Sequence, residues 1–290
     1  MNLTNQNLKS REWAERIFLA IIFAGFGSLI MIVFSPWHPI LGKVQDYLGR
    51  ISIIALLLLI FYFLRARNQF KNYQQIIWGL FIMALAVSLD WVFGLYLIDS
   101  LGVDGNTHSG FALLKLNECI VVLTVIIVFT KLSGDELGSL YIQKGNLKLG
   151  LIIGLGTFFL AAAGSIPMAA SLFKGQDLEF SRILPWIPWI LIFVLANATL
   201  EETLFRGLFL KKLEPVYGKF VSNLLIAIIF TGLHLFASYT SDQYLFIAIL
   251  FALALLWGFV IQKTNSLFAS ILFHAGMDIP IILGVFSNLS

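Results

Sequence analysis

Acidic, basic and histidine side chains recur at helical spacing in three apolar segments of the C-terminal half of the chain. The residues that form this pattern are Glu201, Glu202, Arg206, Phe230, His234, His274 and Asp278. A carboxylate can take a proton from water while the water attacks a carbonyl group. Two imidazoles can bind a metal ion that polarises this carbonyl, or can donate hydrogen bonds to the oxyanion without a metal. The residue types therefore favour hydrolysis.

Helical geometry predicts a different role for each of the two adjacent glutamates. Glu202 and Arg206 are four residues apart, which separates them by only about 40° around a helix and favours an ion pair. Glu201 lies about 140° from Arg206 and is the free carboxylate, the candidate base. His274 and Asp278 also share a helical face, so we expect Asp278 to hold a ring N–H of His274.

The composition predicts that these residues lie in a membrane. Of the 290 residues, 59% are hydrophobic and only 12% are charged. A typical soluble domain is about 45–50% apolar and about 25% charged. The composition excludes a soluble globular enzyme, a disordered protein and a nucleic-acid-binding protein. The single cysteine, Cys119, excludes an internal disulfide and a cysteine-based zinc site.

Apolar stretches long enough to cross a ~30 Å hydrocarbon core predict an all-α polytopic bundle of about nine spans. They lie near residues 17–34, 48–64, 76–98, 111–130, 147–170, 184–210, 219–236, 243–262 and 265–287. No convincing cleavage site follows the first stretch, which leads into Ser35-Pro36-Trp37, so we expect a retained span rather than a signal peptide. The candidate catalytic core occupies the C-terminal helices.

The distribution of lysine and arginine predicts the orientation in the cell membrane. With a cytoplasmic N-terminus, the inside segments hold thirteen of these residues and the outside segments hold four. The positive-inside rule therefore predicts an N-terminus in the cytoplasm and a C-terminus outside. The polar loop 131–147 predicts a boundary between N-terminal helices of unassigned role, residues 1–132, and a catalytic core, residues 147–288.

A second group of charged residues lies within the predicted spans of the N-terminal half. It consists of Asp90, Lys115 and Glu118. Ionisable residues at membrane depth are costly and are functional candidates by default. A structural ion cluster, with Lys115 extending outward, and a proton-relay or ion-transport site both fit these residues.

Depth along the helices predicts that the C-terminal residues meet. Glu201 and His274 each lie nine residues from the inner end of their span, or about 14 Å. His234 lies about 21–25 Å from the inner end of its own span. Because span ends are uncertain by several residues, we expect the three side chains to converge at one level.

The motifs EExxxR, FxxxH and HxxxD, in this order on successive membrane helices, resemble the CPBP family. This family comprises type II CAAX prenyl proteases together with bacteriocin-processing and self-immunity proteins, and is also called the Abi family. The resemblance implies an intramembrane endopeptidase whose site opens to the cytoplasm. It implies Glu201 as the base, and His234 and His274 as oxyanion partners or as ligands, with Glu201, of a divalent metal such as zinc. Glu202, Arg206 and Asp278 complete the candidate catalytic set.

One position departs from the usual family pattern. Prenyl-protease members tend to have asparagine where Asp278 stands. An ionised aspartate cannot donate a hydrogen bond to an oxyanion, so Asp278 fits metal binding or the orientation of His274 better.

Other functions stay open beside the peptidase. The implied partners are the lipid bilayer and a peptide or membrane-protein substrate, prenylated or bacteriocin-like, and no nucleic acid. A non-catalytic membrane scaffold or bacteriocin self-immunity protein is the alternative. A transporter that uses Asp90, Lys115 and Glu118 is a third class.

Overall fold

The computed structural model describes the backbone of residues 3–34, 40–67 and 70–289. Within these ranges it describes the side chains from Trp13 onward, except that of Phe236. The segment Ser35-Pro36-Trp37 lies outside the described residues, as does the last residue of the chain. The regular elements of the described residues are helices, with no strand among them, which confirms the predicted all-α class.

The N-terminal half contains five α-helices, and a π-helical turn, Leu29–Val33, follows the first of them. They are α1 (Leu3–Ser28), α2 (Lys43–Arg65), α3 (Lys71–Phe93), α4 (Tyr96–Leu101) and α5 (His108–Leu132).

The C-terminal half contains seven α-helices joined by loops and short turns. They are α6 (Leu147–Ala163), α7 (Ser165–Leu172), α8 (Phe180–Ile183), α9 (Ile187–Glu201), α10 (Leu208–Leu233), α11 (Gln243–Thr264) and α12 (Phe268–Ser287). A π-helical turn, Glu202–Gly207, joins α9 to α10, and a 3-10 turn, His234–Phe236, follows α10.

The number of spans differs from the predicted nine. Seven helical stretches of the described residues are long and apolar enough to cross a membrane, or eight with the bent pair α6–α7. The difference arises because Phe180–Leu233 forms one stretch of 54 residues, where the sequence predicts two spans. A straight helix of that length would measure about 81 Å, far more than the hydrocarbon core. The stretch changes direction at Gly218, whose φ of 76° is not helical and favours glycine.

Polar contacts gather one set of loops at what we call the lysine-rich end of the bundle. Lys211 Nζ donates a hydrogen bond to the carbonyl of Gly138 at 2.9 Å. The Tyr217 hydroxyl donates to the carbonyl of Arg16 at 2.6 Å. The loop between α5 and α6 also contacts the end of α11, because Asn146 N donates to the Thr264 carbonyl at 2.7 Å.

The remaining loops meet at the opposite end, which we call the C-terminal end. Lys174 Nζ donates to the carbonyl of Ser238 at 2.8 Å, and Gln176 N donates to the Ser287 hydroxyl at 3.1 Å. If successive predicted spans cross the membrane in alternate directions, their loops fall into two groups. These two groups lie at the two ends of the bundle. The grouping agrees with the predicted order of spans, and the orientation in the membrane stays a prediction.

Glycines allow α12, which carries two of the candidate site residues, to pack closely against α6. A Cβ atom on Gly276 would lie 2.6 Å from Phe158 Cα, closer than side chains tolerate. On the facing helix, a Cβ atom on Gly154 would lie 3.0 Å from Leu272 Cβ, whereas Gly150 leaves ordinary contact space. Because α12 also packs against α9, the close contact with α6 holds α12 beside the two glutamates.

Cysteine labelling tests the orientation. In a Cys119→Ala background, we expect a membrane-impermeant maleimide to label Ser241→Cys in intact cells, because Ser241 lies at the C-terminal end. Ser133→Cys, in the loop after α5, should react only after the membrane is permeabilised, since the lysine-rich end is predicted to face the cytoplasm. The reverse pattern would contradict the orientation, and equal labelling of both positions would contradict the alternation of spans.

Candidate active site

Glu202 is a fully buried carboxylate with hydrogen bonds to both oxygens. Its relative exposure is 0%. Oε1 accepts a bond from Arg206 Nη1 at 2.7 Å and lies 2.8 Å from His274 Nδ1. Oε2 accepts a bond from the Ser270 hydroxyl at 2.7 Å. The structure confirms the predicted ion pair with Arg206, and adds two partners on α12 that spacing within one helix cannot predict.

Arg206 is held between two aromatic rings as well as by its carboxylate. Its guanidinium carbon lies 4.9 Å from the ring centroid of Phe230 and 5.3 Å from that of Trp257. Nη2 donates to the carbonyl of Ala254 at 3.1 Å. Cation–π contacts are strongest where the cation is removed from water, and Arg206 is 0% exposed. The arginine thereby ties the turn after α9 to α10 and α11.

The π-helical turn Glu202–Gly207 starts at the second glutamate. Such turns are rare and often mark functional sites. Because a π-helix contains more residues per turn than an α-helix, successive side chains diverge by a smaller angle. This geometry lets the side chains of Glu201 and Glu202 approach the same histidine on α12.

Glu201 differs from its neighbour in exposure and in partners. Its side chain is 17% exposed, whereas that of Glu202 is 0% exposed. The Arg206 guanidinium pairs with Glu202 rather than with Glu201, as predicted. Glu201 Oε2 lies 3.5 Å from His274 Nε2. Of the two glutamates, Glu201 is therefore the one that water can reach.

His274 is oriented from several directions. Because an ionised carboxylate only accepts hydrogen bonds, Nδ1 carries a proton and donates it to Glu202. The ring stacks on Trp257, with the centroids 3.9 Å apart and the planes inclined by 9°. These contacts leave the opposite nitrogen, Nε2, facing Glu201.

Asp278 lies next to His274 on the same face of α12, as predicted, but at Nε2 rather than at the nitrogen that donates to Glu202. Glu202 occupies Nδ1, and Asp278 Oδ1 lies 3.5 Å from Nε2, the nitrogen that also faces Glu201. The other Asp278 oxygen accepts a bond from Asn197 Nδ2 at 2.9 Å. The cause is packing between helices, because α9 places Glu202 closer to Nδ1 than any carboxylate of α12 itself.

His234 lies beside this cluster rather than at its centre. Its Nδ1 lies 2.8 Å from the carbonyl of Phe230, which can only accept, so Nδ1 donates. The ring centroids of His234 and His274 lie 4.7 and 6.1 Å from that of Phe230. His234 is within electrostatic range of His274 and Asp278. The predicted convergence thus brings Glu201 and His274 together, with His234 as a neighbour.

The fit of a divalent metal can be judged from the donor atoms. A metal site of the predicted kind needs three protein ligands that point at one position. Among the residues that the structure describes, no group of three His, Cys, Asp or Glu side chains has this arrangement. The contact of His274 Nδ1 with Glu202 leaves Nε2 able to bind a metal, so what this site lacks is the grouped set of three ligands. The described residues therefore do not fit a metal held by His234, His274 and Glu201.

Several neighbours of the site were missed by the sequence analysis, namely Ser270, Asn197, Trp257 and Tyr239. Tyr239 lies in the loop between α10 and α11, within electrostatic range of Glu201 and Asp278. Burial and these two carboxylates raise the pKa of Tyr239 well above its usual range, so the hydroxyl keeps its proton. This loop belongs to the C-terminal end, and the cytoplasmic opening implied by the resemblance stays a prediction. Of these four residues, only Asn197 could have been found from the sequence, because it lies four residues before Glu201 in the same polar segment.

The charged group of the N-terminal half forms part of the same neighbourhood. Lys115 Nζ donates to Glu118 Oε2 at 2.5 Å, as predicted for residues on one face. Asp90 is buried beside them, within electrostatic range of both. Lys115 also lies within electrostatic range of Glu201. The two charged groups, which the sequence treats separately, are therefore adjacent.

Substitution of the buried arginine tests the role of the Glu202 pair. We expect Arg206→Ala to destabilise the protein by on the order of 3–5 kcal/mol, because an uncompensated buried carboxylate remains. Folded yield and the unfolding temperature in detergent measure this effect. Arg65→Ala is the control, since Arg65 is exposed at the end of α2 and exposed charges contribute about 0–1 kcal/mol. Equal effects of the two substitutions would contradict the assigned role.

Comparison with known families agrees with the motifs. Residues 183–280 match the family described as Type II CAAX prenyl endopeptidase Rce1-like. Comparisons with curated proteins and with solved structures find no match. Because the match begins at residue 183, the boundary predicted in the loop 131–147 stays a prediction. The matched range contains both glutamates and both histidines of the site, so residues 183–280 are similar to the family of type II CAAX prenyl endopeptidases.

Proposed function

We propose that the protein is an intramembrane endopeptidase in which Glu201 activates a water molecule. One observation carries the proposal: Glu201 keeps an accessible carboxylate 3.5 Å from His274 Nε2, while the neighbouring Glu202 is fully occupied. The family match supports a peptide or protein substrate in the membrane. A prenylated or bacteriocin-like peptide is the substrate class that we propose.

The reaction begins at the Glu201 carboxylate. It takes a proton from water while the water oxygen forms a bond to the scissile carbonyl carbon. The carbonyl π electrons move to oxygen and form an oxyanion. The Tyr239 hydroxyl, or His274 when Nε2 is protonated, then donates a hydrogen bond to that oxygen. When the carbon–nitrogen bond breaks, the protonated Glu201 gives its proton to the leaving nitrogen.

The surrounding residues keep these groups in place. Glu202 fixes the ring of His274 through Nδ1, and Arg206 compensates the charge of Glu202. Asp278 accepts a hydrogen bond from Asn197 with one oxygen, and its other oxygen lies 3.5 Å from Nε2 of His274. Pre-positioned groups of this kind lower the cost of reorganisation during the reaction.

Removal of the base should stop proteolysis without unfolding the protein. Glu201→Gln should lower cleavage by about 10²–10⁴-fold, the usual contribution of a general base. Mass spectrometry of the peptides and new N-termini in membranes that contain wild type or variant measures this loss.

The matched control is Glu136→Gln, which removes an exposed carboxylate in the loop after α5. It should leave the cleavage pattern unchanged. If wild type and Glu201→Gln have the same pattern, the non-catalytic alternative, a scaffold or a self-immunity protein, is the better account.

Metal removal distinguishes the two forms of the mechanism. Because the described residues hold no group of three metal-binding side chains that point at one position, we expect a chelator to leave the cleavage rate unchanged. The rate is measured on wild-type protein before and after chelation and dialysis. Loss of cleavage that zinc or cobalt restores would contradict the metal-independent mechanism and favour His234, His274 and Glu201 as ligands.

A further inference from the structure

Helix α5 lies outside the matched residues but packs against the helix that carries Glu201. It contacts α9 and the π-helical turn that follows it. The sulfur of Cys119 on α5 lies against the backbone of Leu200, the residue before Glu201. Lys115 precedes Cys119 by one helical turn and lies on the same face. The packing therefore directs Lys115 toward the candidate active site.

The ammonium group of Lys115 interacts with two carboxylates, one in direct contact and one at longer range. It donates to Glu118 Oε2 at 2.5 Å and is within electrostatic range of Glu201. The side chain of Lys115 is only 17% exposed. Charge interactions are stronger where water is largely excluded, so a lysine in this place acts on both carboxylates.

Two other groups near Glu201 can carry a positive charge. Arg206 pairs with Glu202, whereas His274, held at Nδ1 by Glu202, faces Glu201 with Nε2 at 3.5 Å. The negative groups that face Glu201 are Glu118, Glu202 and Asp278. An ionised Glu201 in such surroundings needs compensating positive charge, and Lys115 is placed to supply it together with His274.

We propose that Lys115 is a positioning residue for Glu201, so that a helix of the N-terminal half completes the candidate active site. The ammonium group partly compensates the charge of Glu201 and so stabilises the ionised carboxylate in its place beside α12. The consequence for catalysis rests on the proposed function, whereas the coupling between the two side chains does not. The N-terminal helices thereby have a role in the site as well as in the bundle.

A double-mutant cycle measures the coupling without any substrate. The unfolding temperature in detergent is compared for wild type, Lys115→Met, Glu201→Gln and the double variant. Lys115→Met should lower the unfolding temperature by about 2–4 °C more in the wild-type background than in the Glu201→Gln background. Equal shifts in both backgrounds would overturn the inference.

Two further variants separate this coupling from the pair with Glu118. A parallel cycle with Glu118→Gln measures that pair, and Lys115→Arg should restore the wild-type temperature. If Lys115→Met does not fold, the same comparison is made in a Glu118→Gln background, where the lysine and its partner are removed together. Complete suppression of the defect by Glu118→Gln, with none by Glu201→Gln, would overturn the inference.

The catalytic consequence is read from the membrane peptides. Folded Lys115→Met should reproduce the loss of cleavage seen for Glu201→Gln, and Lys115→Arg should recover it. Lys131→Met, an exposed lysine at the other end of α5, is the matched control and should cleave normally. If Glu201→Gln loses cleavage and Lys115→Met does not, the inference is overturned. If Glu201→Gln cleaves normally, the proposed function fails and the unfolding cycle alone decides the coupling.

Discussion

The buried ion pair between Glu202 and Arg206 is the interaction on which the rest of the site depends. A carboxylate with no exposure to water is tolerated only if its charge is compensated and its oxygens are hydrogen-bonded. Arg206, Ser270 and His274 meet these needs of Glu202. Because they come from the turn after α9 and from α12, the pair joins the two helices that carry the candidate reactive groups.

This constraint separates the functions of two adjacent residues. Glu202 is bound on both oxygens and serves the structure, which leaves Glu201 with an exposed edge for water. His274 links the two, since one ring nitrogen binds Glu202 and the other faces Glu201. The close packing of Gly276 on Phe158 keeps α12 near enough for both contacts. A shift of α12 would therefore disturb the reactive carboxylate and its support together.

Sequence reasoning succeeded where one helix determines the geometry. The pair of Glu202 with Arg206, the pair of Lys115 with Glu118 and the helical class all follow from spacing and hydrophobicity. It failed where two helices meet, because spacing does not reveal packing angles. The carboxylate on His274 Nδ1 comes from a residue 72 positions earlier in the chain. Likewise, the residues that match the family, 183–280, do not indicate that α5 packs against the site.

The division between the two glutamates is tested most directly by the unfolding temperatures of Glu201→Gln and Glu202→Gln in the same detergent. Glu202→Gln leaves the Arg206 charge buried without its partner, so it should unfold at a much lower temperature than wild type. Glu201→Gln removes a partly exposed carboxylate that Arg206 does not pair with, so it should unfold close to wild type. A larger loss of stability for Glu201→Gln, or equal losses for both, would contradict the separation of structural and reactive roles.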